Sequence, residues 1–397
     1  MYGVILKLLY FFTFGLIAYK QIGDNEQSVL SISTIICCIY IVVFFMNLVV
    51  KKKKVSFTFL ENALIYLVIL YVVYTLINAL YINQSALIQL LIDNIPYITL
   101  VLLMIDFKRY EQLPGEIFRF MTIILSSCLA LALIMFIMGY SKLEISLSSL
   151  NFIPSLDYYY MFGENRLSWF MTHKVRFAFF CLIAIMFIFY NKNSNRTLRL
   201  VFIIIGLVDM YLSNSMTTLA VTMILFIFLI DFKNVNRYIK FILLIIGTVF
   251  LIILVKEFLD VLLEKRDLLT FGGRRYIWEA AIEFIANHPF GVVTISKEYV
   301  LTTHYYGSEV FSNAHNLFLN EFMKHGIIGG VLFICIFLTI VLRILKCNKK
   351  MIGFIVALLI SCMMDVIFNR EMLPIFLFAL PVIFYAEQFQ SNNSIKK

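Results

Sequence analysis

Long, uninterrupted runs of apolar residues constrain this chain more than any other feature. Two examples, Ser28 to Val50 and Ile239 to Val255, are close to the ~20 residues that an α-helix needs to cross a ~30 Å hydrocarbon core. Of the 397 residues, 62% are hydrophobic and 14% are charged, whereas a soluble domain carries about 25% charged residues. A water-soluble fold cannot cover so much apolar surface. The sequence therefore predicts an all-α, polytopic integral membrane protein.

The positions of these runs predict about twelve transmembrane helices. The predicted spans are 2–19, 28–50, 60–82, 86–105, 118–139, 174–190, 200–213, 215–231, 239–257, 326–345, 351–365 and 373–389. Most lysines and arginines then fall in loops on one side of the membrane, which is the cytoplasmic side because inner loops are basic. Both termini are expected in the cytoplasm. Since this topology accounts for most of the net charge of +9, no nucleic acid is expected as a partner.

Segment 201–230 decides which side the later loops face. One helix of ~45 Å would overshoot the bilayer, whereas two helices would each be short. Basic residues flank the segment at both ends, so both ends are expected in the cytoplasm and the number of crossings must be even. The polar run Ser213 to Thr218 is then an outer hairpin. The same parity places two long segments, 140–173 and 258–325, on the outer side.

The second of these segments divides the chain into three parts. We expect a transmembrane bundle of about nine helices over 1–257, a large extracytoplasmic loop over 258–325, and three final helices with a cytoplasmic tail over 326–397. Apolar residues at helical spacing predict an amphipathic helix at 274–287 in the large loop. We expect this helix to lie along the outer membrane surface.

Several basic residues in or beside the outer segments run against the rule that outer loops are poor in positive charge. An anionic ligand at the outer leaflet would favour them, most clearly Arg166, Arg274 and Arg275. The alternatives are that long loops escape the rule and that surface arginines extend to the membrane interface. Arg275 is spaced to pair with Glu279, while Arg274 lies in the first helical turn, where backbone N–H groups also attract phosphate.

Two histidines stand at the ends of the outer segments. His315 opens a helix that leads into the next span, and His173 immediately precedes a span. A neutral imidazole at such a position can accept a proton, although a lone histidine is more often structural. The chain has no glycine-rich phosphate loop and no metal-ligand spacing, and its seven cysteines suggest no disulfide framework. Nucleotide hydrolysis, a bound metal and a cofactor are therefore not expected.

Three stretches of the outer segments carry a family resemblance. They are Gly273-Arg274-x-x-x-Trp278 followed by His288-Pro289-Phe290-Gly291, Ala314-His315-Asn316-x-Phe318-Leu319 followed by Gly326-Ile327-Ile328-Gly329, and Arg166-x-Ser168-x-Phe170-x-x-His173. Together they resemble the bacterial O-antigen and capsular polysaccharide polymerases of the Wzy type, which share a superfamily with the O-antigen ligases. The order of the motifs and the topology agree over most of the chain.

The chain departs from the family pattern at three places. Lys174-Val175 stand where the family has proline and asparagine after the histidine, and Gly291-Val292-Val293 lacks a second glycine. Ser215-Met216 occupies the outer hairpin where many members have Ser-Arg. The missing anion contact would then be lost, or supplied by Arg176 or Arg370.

The resemblance implies a metal-independent, inverting glycosyltransferase of GT-C-like architecture in the bacterial cytoplasmic membrane. A glycan on undecaprenyl pyrophosphate would be transferred to a sugar hydroxyl of another lipid-linked repeat unit at the outer leaflet. His315 would act as the base and Arg274 would stabilise the leaving pyrophosphate. The remaining substrate-binding residues would be Arg166, His173, Arg275, Trp278, Asn316, Arg176 and Arg370. The implied partners are the lipid-linked oligosaccharide, membrane lipid, a chain-length regulator and a flippase.

Two other functions are compatible with parts of the sequence. An O-antigen-ligase-like enzyme would use the same site with a different acceptor, and the Gram-positive-like Arg166 stretch favours the polymerase. A lipid-linked oligosaccharide flippase or transporter would also have about twelve spans, but it would show repeated halves and polar residues near the midplane of the membrane. Asp93 and Asp209 are the candidate intramembrane charges for that function.

Overall fold

The computed structural model of the protein describes residues 2–15, 32–50, 55–138, 145–147, 150–152, 167, 171, 174–213, 274–293, 301–303, 309–311, 313–368 and 372–389. Most of these residues are helical. The α-helices are α1 Tyr2–Phe14, α2 Ile32–Val50, α3 Phe59–Ile82, α4 Leu87–Arg109, α5 Leu113–Ile137, α6 Lys174–Tyr190, α7 Arg196–Leu212, α8 Arg274–Asn287, α9 Leu317–Cys347, α10 Ile352–Met364 and α11 Met372–Tyr385. Short 3₁₀ turns lie at Gln84–Ala86, Lys349–Met351 and Glu387–Phe389.

Two short antiparallel hairpins accompany the helices in the segments expected outside the membrane. Strand β1 Ile145–Leu147 pairs with β2 Leu150–Phe152, and β3 Leu301–Thr303 pairs with β4 Glu309–Phe311. The sequence analysis did not predict these hairpins, because three-residue strands leave almost no periodic signal in a sequence.

Four of the described helices are long and apolar enough to cross a membrane: Phe59–Ile82, Gln84–Arg109, Leu113–Ile137 and Leu317–Cys347. Shorter apolar helices lie at Tyr2–Phe14, Ser33–Leu48 and Met372–Tyr385. The long helices expose apolar side chains to the outside. On α3, for example, Tyr66 is 71% exposed and Leu70 is 53% exposed. Apolar surface of this kind is typical of a protein solvated by lipid. The predicted spans 215–231 and 239–257 lie outside the described residues, so the count of twelve stays a prediction.

Helices α6 and α11 form the centre of the described bundle. Nearly every side chain of α6 from Phe177 to Ile188 is buried, as are those of α11 from Pro374 to Phe384. Both helices are therefore surrounded by protein, whereas α3, α4 and α5 expose a face to the outside. This arrangement explains why α6 and α11 are apolar on all sides.

A buried ion-pair cluster joins three helices at the end of the bundle expected at the cytoplasm. The carboxylate of Glu61 is fully buried and lies 2.8 Å from Nη2 of Arg343 and 3.3 Å from Nζ of Lys108. It also accepts a 2.7 Å hydrogen bond from the backbone N–H of Thr58 at the start of α3. Because the charges are paired and hydrogen-bonded, the cluster fixes the relative positions of α3, α4 and α9.

Replacement of Glu61 by alanine is expected to lower the free energy of unfolding by about 3–5 kcal/mol, because it leaves the buried Arg343 unpaired. The matched control is Glu116→Ala. Glu116 pairs with Lys7 at 2.8 Å, but the two side chains are 50% and 34% exposed, and such a pair contributes at most about 1 kcal/mol. Circular dichroism, recorded during unfolding in mixed detergent micelles, would give the free energy of unfolding of both variants. Equal losses in the two variants would contradict a structural role for the Glu61 cluster.

Candidate active site

His315 stands on a constrained loop immediately before helix α9. Its backbone has a φ of 45°, in the left-handed region that non-glycine residues rarely occupy. The Oδ1 atom of Asn313 accepts a 3.0 Å hydrogen bond from the N–H of His315. The side chain of Asn316, which is 8% exposed, caps the helix by accepting a 3.1 Å bond from the N–H of Leu319. The imidazole is therefore held at the mouth of α9 by fixed backbone geometry.

Asp365 faces this histidine from another part of the chain. It follows the last residue of α10, and its Oδ1 atom lies 3.7 Å from Nδ1 of His315. Both groups are accessible, with side-chain exposed fractions of 36% for the histidine and 17% for the aspartate. A carboxylate at this distance favours a proton on Nδ1, which leaves Nε2 as the basic nitrogen. The sequence analysis assigned no role to Asp365, although a carboxylate as the last residue of an otherwise apolar predicted span was a usable signal.

Helix α8 packs against the same loop through its apolar face. Ile277 and Ala281 are buried against Ala314 and Met323, and Phe284 and Leu319 pack around this cluster. The expectation that α8 lies along the outer membrane surface stays a prediction, and the structure adds that its buried apolar residues pack against the start of α9. Ile282, which is 59% exposed, is the apolar residue that faces away from α9.

The first turns of α8 carry three of the predicted site residues. Arg275 is exposed, and its Nε atom lies 2.9 Å from Oε1 of Glu279, a hydrogen bond that raises the pKa of Arg275. Arg274 and Trp278 are half-buried. Arg274 is one turn before Ile277, which belongs to the same buried apolar cluster as Ala314, the residue next to His315. The structure thus brings the start of α8 and the His315 loop to the same place.

The loop after α8 and helix α9 cross at two glycines, and this close backbone contact is called the crossing below. Gly291 and Gly326 have φ values of 77° and 67°, and a Cβ atom on either would lie 2.4 Å from backbone atoms of the other segment. The N–H of Ile327 donates to the carbonyl of Pro289 at 2.8 Å, and the N–H of Val293 donates to the carbonyl of Lys324 at 2.7 Å. The two glycine-containing motifs of the sequence analysis are therefore structural partners of each other.

Helix α3 holds this crossing from the bundle side. The amide of Asn78 donates to the carbonyl of Phe290 at 2.9 Å, and the hydroxyl of Tyr74 donates to the carbonyl of His325 at 3.1 Å. Two further histidines, His288 and His325, lie beside this crossing and are packed against other side chains. His288 stacks on Phe284 with ring centroids 4.3 Å apart, and His325 is 5% exposed. The ring of His325 packs edge-on against Tyr71 with centroids 5.7 Å apart, so both histidines have packing contacts in the scaffold.

The two aspartates that the sequence analysis named as candidate intramembrane charges have different surroundings. The Oδ1 atom of Asp93 accepts a 2.9 Å hydrogen bond from the amide of Gln89 on the same helix. Asp209 is fully buried on α7, and neither of its carboxyl oxygens has a hydrogen-bond partner among the described residues. Within the described ranges, no group of three histidine, cysteine, aspartate or glutamate side chains could hold a metal ion.

The remaining predicted site residues lie on α6 or outside the described residues. Arg176 lies half-buried in the first turn of α6. Arg166, His173 and Arg370 lie outside the described residues. Their assignment to substrate binding stays a prediction.

Comparison with known proteins supplies one family match. Residues 200–334 match the family model for O-antigen ligase, a range that contains Arg274, Trp278, His315 and Asn316. No curated protein matches the chain. The match spans roughly a third of the chain and supports the resemblance to the O-antigen polymerase/ligase superfamily for the motifs that contain Arg274 and His315, whereas the Arg166–His173 stretch lies outside it.

Proposed function

We propose that this chain, which matches the O-antigen ligase family model over residues 200–334, is a polysaccharide polymerase at the outer face of the bacterial cytoplasmic membrane. It transfers a glycan from undecaprenyl pyrophosphate to a sugar hydroxyl of another lipid-linked repeat unit. The acceptor oxygen attacks the anomeric carbon, the bond to pyrophosphate breaks, and the pyrophosphate leaves with the electron pair. The hydroxyl proton goes to a base. A flippase that supplies the repeat units and a chain-length regulator are the expected partners.

The observation that carries this proposal is the pairing of His315 with Asp365. General-base catalysis needs an accessible imidazole whose second nitrogen is oriented by another group. The 3.7 Å distance between Nδ1 and Oδ1 supports that role, with Nε2 taking the proton of the acceptor hydroxyl. The left-handed backbone of His315 also supports it, because strained residues concentrate at functional sites.

Arg274 is proposed to stabilise the leaving pyrophosphate. Negative charge develops on the leaving group in the transition state, and a preorganised guanidinium lowers the energy of that state. The buried cluster that Ile277 and Ala314 share supports this assignment, because its members come from the first turns of α8 and from the His315 loop. The N–H groups of the same turn add a second attraction for phosphate oxygens.

Incubation of the purified, membrane-reconstituted protein with lipid-linked repeat units alone would test the polymerase function. A polymerase produces a ladder of multimers on a gel, because donor and acceptor are the same class of molecule. A ligase-like enzyme produces no ladder until a different acceptor is added. Absence of the ladder with repeat units, followed by transfer to a lipid or protein acceptor, would replace the polymerase by the ligase.

Arg274→Ala is expected to reduce the rate of transfer by about 10²–10³-fold, since it removes one stabilising group from the leaving-group site. The neighbouring Arg275→Ala is the matched control, with an expected loss of less than about tenfold, because an exposed ion pair contributes little. Initial rates of multimer formation would measure both variants. A larger loss for Arg275→Ala would mean that the two roles are exchanged.

A further inference from the structure

A buried asparagine supports the backbone on which His315 stands. The Oδ1 atom of Asn320 accepts a 2.8 Å hydrogen bond from the backbone N–H of Ala314, and Asn320 is 3% exposed. Asn320 belongs to the first turn of α9, so its side chain reaches back over the start of the helix. The family motifs of the sequence analysis do not include this residue.

The hydrogen bond from Ala314 to Asn320 constrains the backbone immediately before His315. Ala314 is fully buried against α8, and the next residue is the left-handed His315. A strained conformation persists only when its surroundings fix it from several sides. Asn313 fixes the N–H of His315, and Asn320 fixes the N–H of the residue before it. Without the acceptor on Asn320, a buried N–H group would lack a partner and the loop would be expected to rearrange.

We propose that Asn320 is a positioning residue for the reaction, and that it acts by holding Ala314 so that the imidazole of His315 stays aimed at Asp365. This inference rests on the proposed role of His315 as the base. Asn320 touches neither substrate nor reacting atoms. Asn320 keeps the imidazole of His315, the proton acceptor, in position. Loss of the Asn320 side chain should therefore lower kcat and leave substrate binding nearly unchanged.

Three variants of the full-length, reconstituted protein test the proposal. Asn320→Leu removes the acceptor and keeps the volume, and we expect kcat to fall on the order of 10²-fold with KM nearly unchanged, as for a misplaced catalytic group. Asn320→Asp keeps an acceptor oxygen, so most of the activity should return. Asn94→Leu is the matched control, because Asn94 is also 3% exposed and donates its bond to Thr75, away from the loop.

A second measurement reports on the conformation of the His315 loop and needs no substrate. Diethyl pyrocarbonate modifies neutral histidine, and mass spectrometry gives its rate at His315, with the buried His325 as an internal reference. The rate at His315 should rise severalfold in Asn320→Leu and stay unchanged in Asn94→Leu. Wild-type kcat together with an unchanged modification rate in Asn320→Leu would overturn the proposal, as would equal losses in Asn94→Leu. If wild type makes no product, the proposed function fails, and the modification rates still decide whether Asn320 holds the loop.

Discussion

Replacement of His315 by asparagine is expected to abolish most of the glycan transfer, with a loss of about 10²–10⁴-fold in kcat. Asparagine tolerates the left-handed backbone that His315 adopts, so the variant removes the base without straining the loop. Alanine at the same position adds backbone strain to the loss of the base. Initial rates of multimer formation, with thermal unfolding of each variant, would separate the two effects.

Asp365→Asn is the companion variant for this experiment. The neutral amide keeps the size of the side chain but no longer favours a proton on Nδ1 of His315, so we expect a loss of about tenfold or more. If Asp365 acts only through His315, the Asp365→Asn change should have little further effect in the His315→Asn background. Near-wild-type activity of His315→Asn would show that the base is a different residue and would remove the main support for the proposed mechanism.

The sequence predicted the helices of the bundle well because their signal is local. The predicted span 174–190 has the same bounds as helix α6, and the predicted span 60–82 differs from α3 by one residue at its start. Apolar runs of this length have few alternatives to a helix in a membrane. Helix α9 is longer than its predicted span, because residues 317–325 form an additional helical segment that joins the span at Gly326.

The candidate site was only partly predictable because its geometry depends on long-range pairing. His315 and Arg274 stood out as polar residues in motifs. Asp365 did not, since 50 positions separate it from His315 and no local pattern links them. The burial of Ile277 against Ala314 was missed for a similar reason. An apolar helical face predicts burial, but it does not say whether lipid or protein covers it.

Gly326→Ala is expected to lower the free energy of unfolding by at least about 3 kcal/mol. Gly326 has φ 67° and ψ −171°, a conformation that is essentially restricted to glycine. The new Cβ atom would also lie 2.4 Å from the carbonyl oxygen of Pro289, a backbone contact that no side-chain movement relieves. The expected result is a large fall in the amount of folded protein extracted from membranes and in its unfolding temperature.

Gly115→Ala provides the control, because a Cβ atom at this position in α5 meets nothing within 4 Å. Alanine favours a helix over glycine by up to about 1 kcal/mol, so this variant should be as stable as wild type or slightly more stable. Since the crossing joins the loop after α8 to α9, any folded Gly326→Ala protein should also lose the packing of α8 against the start of α9, and with it glycan transfer. A Gly326→Ala protein with wild-type stability would mean that the two glycine motifs do not cross as closely as the structure has them.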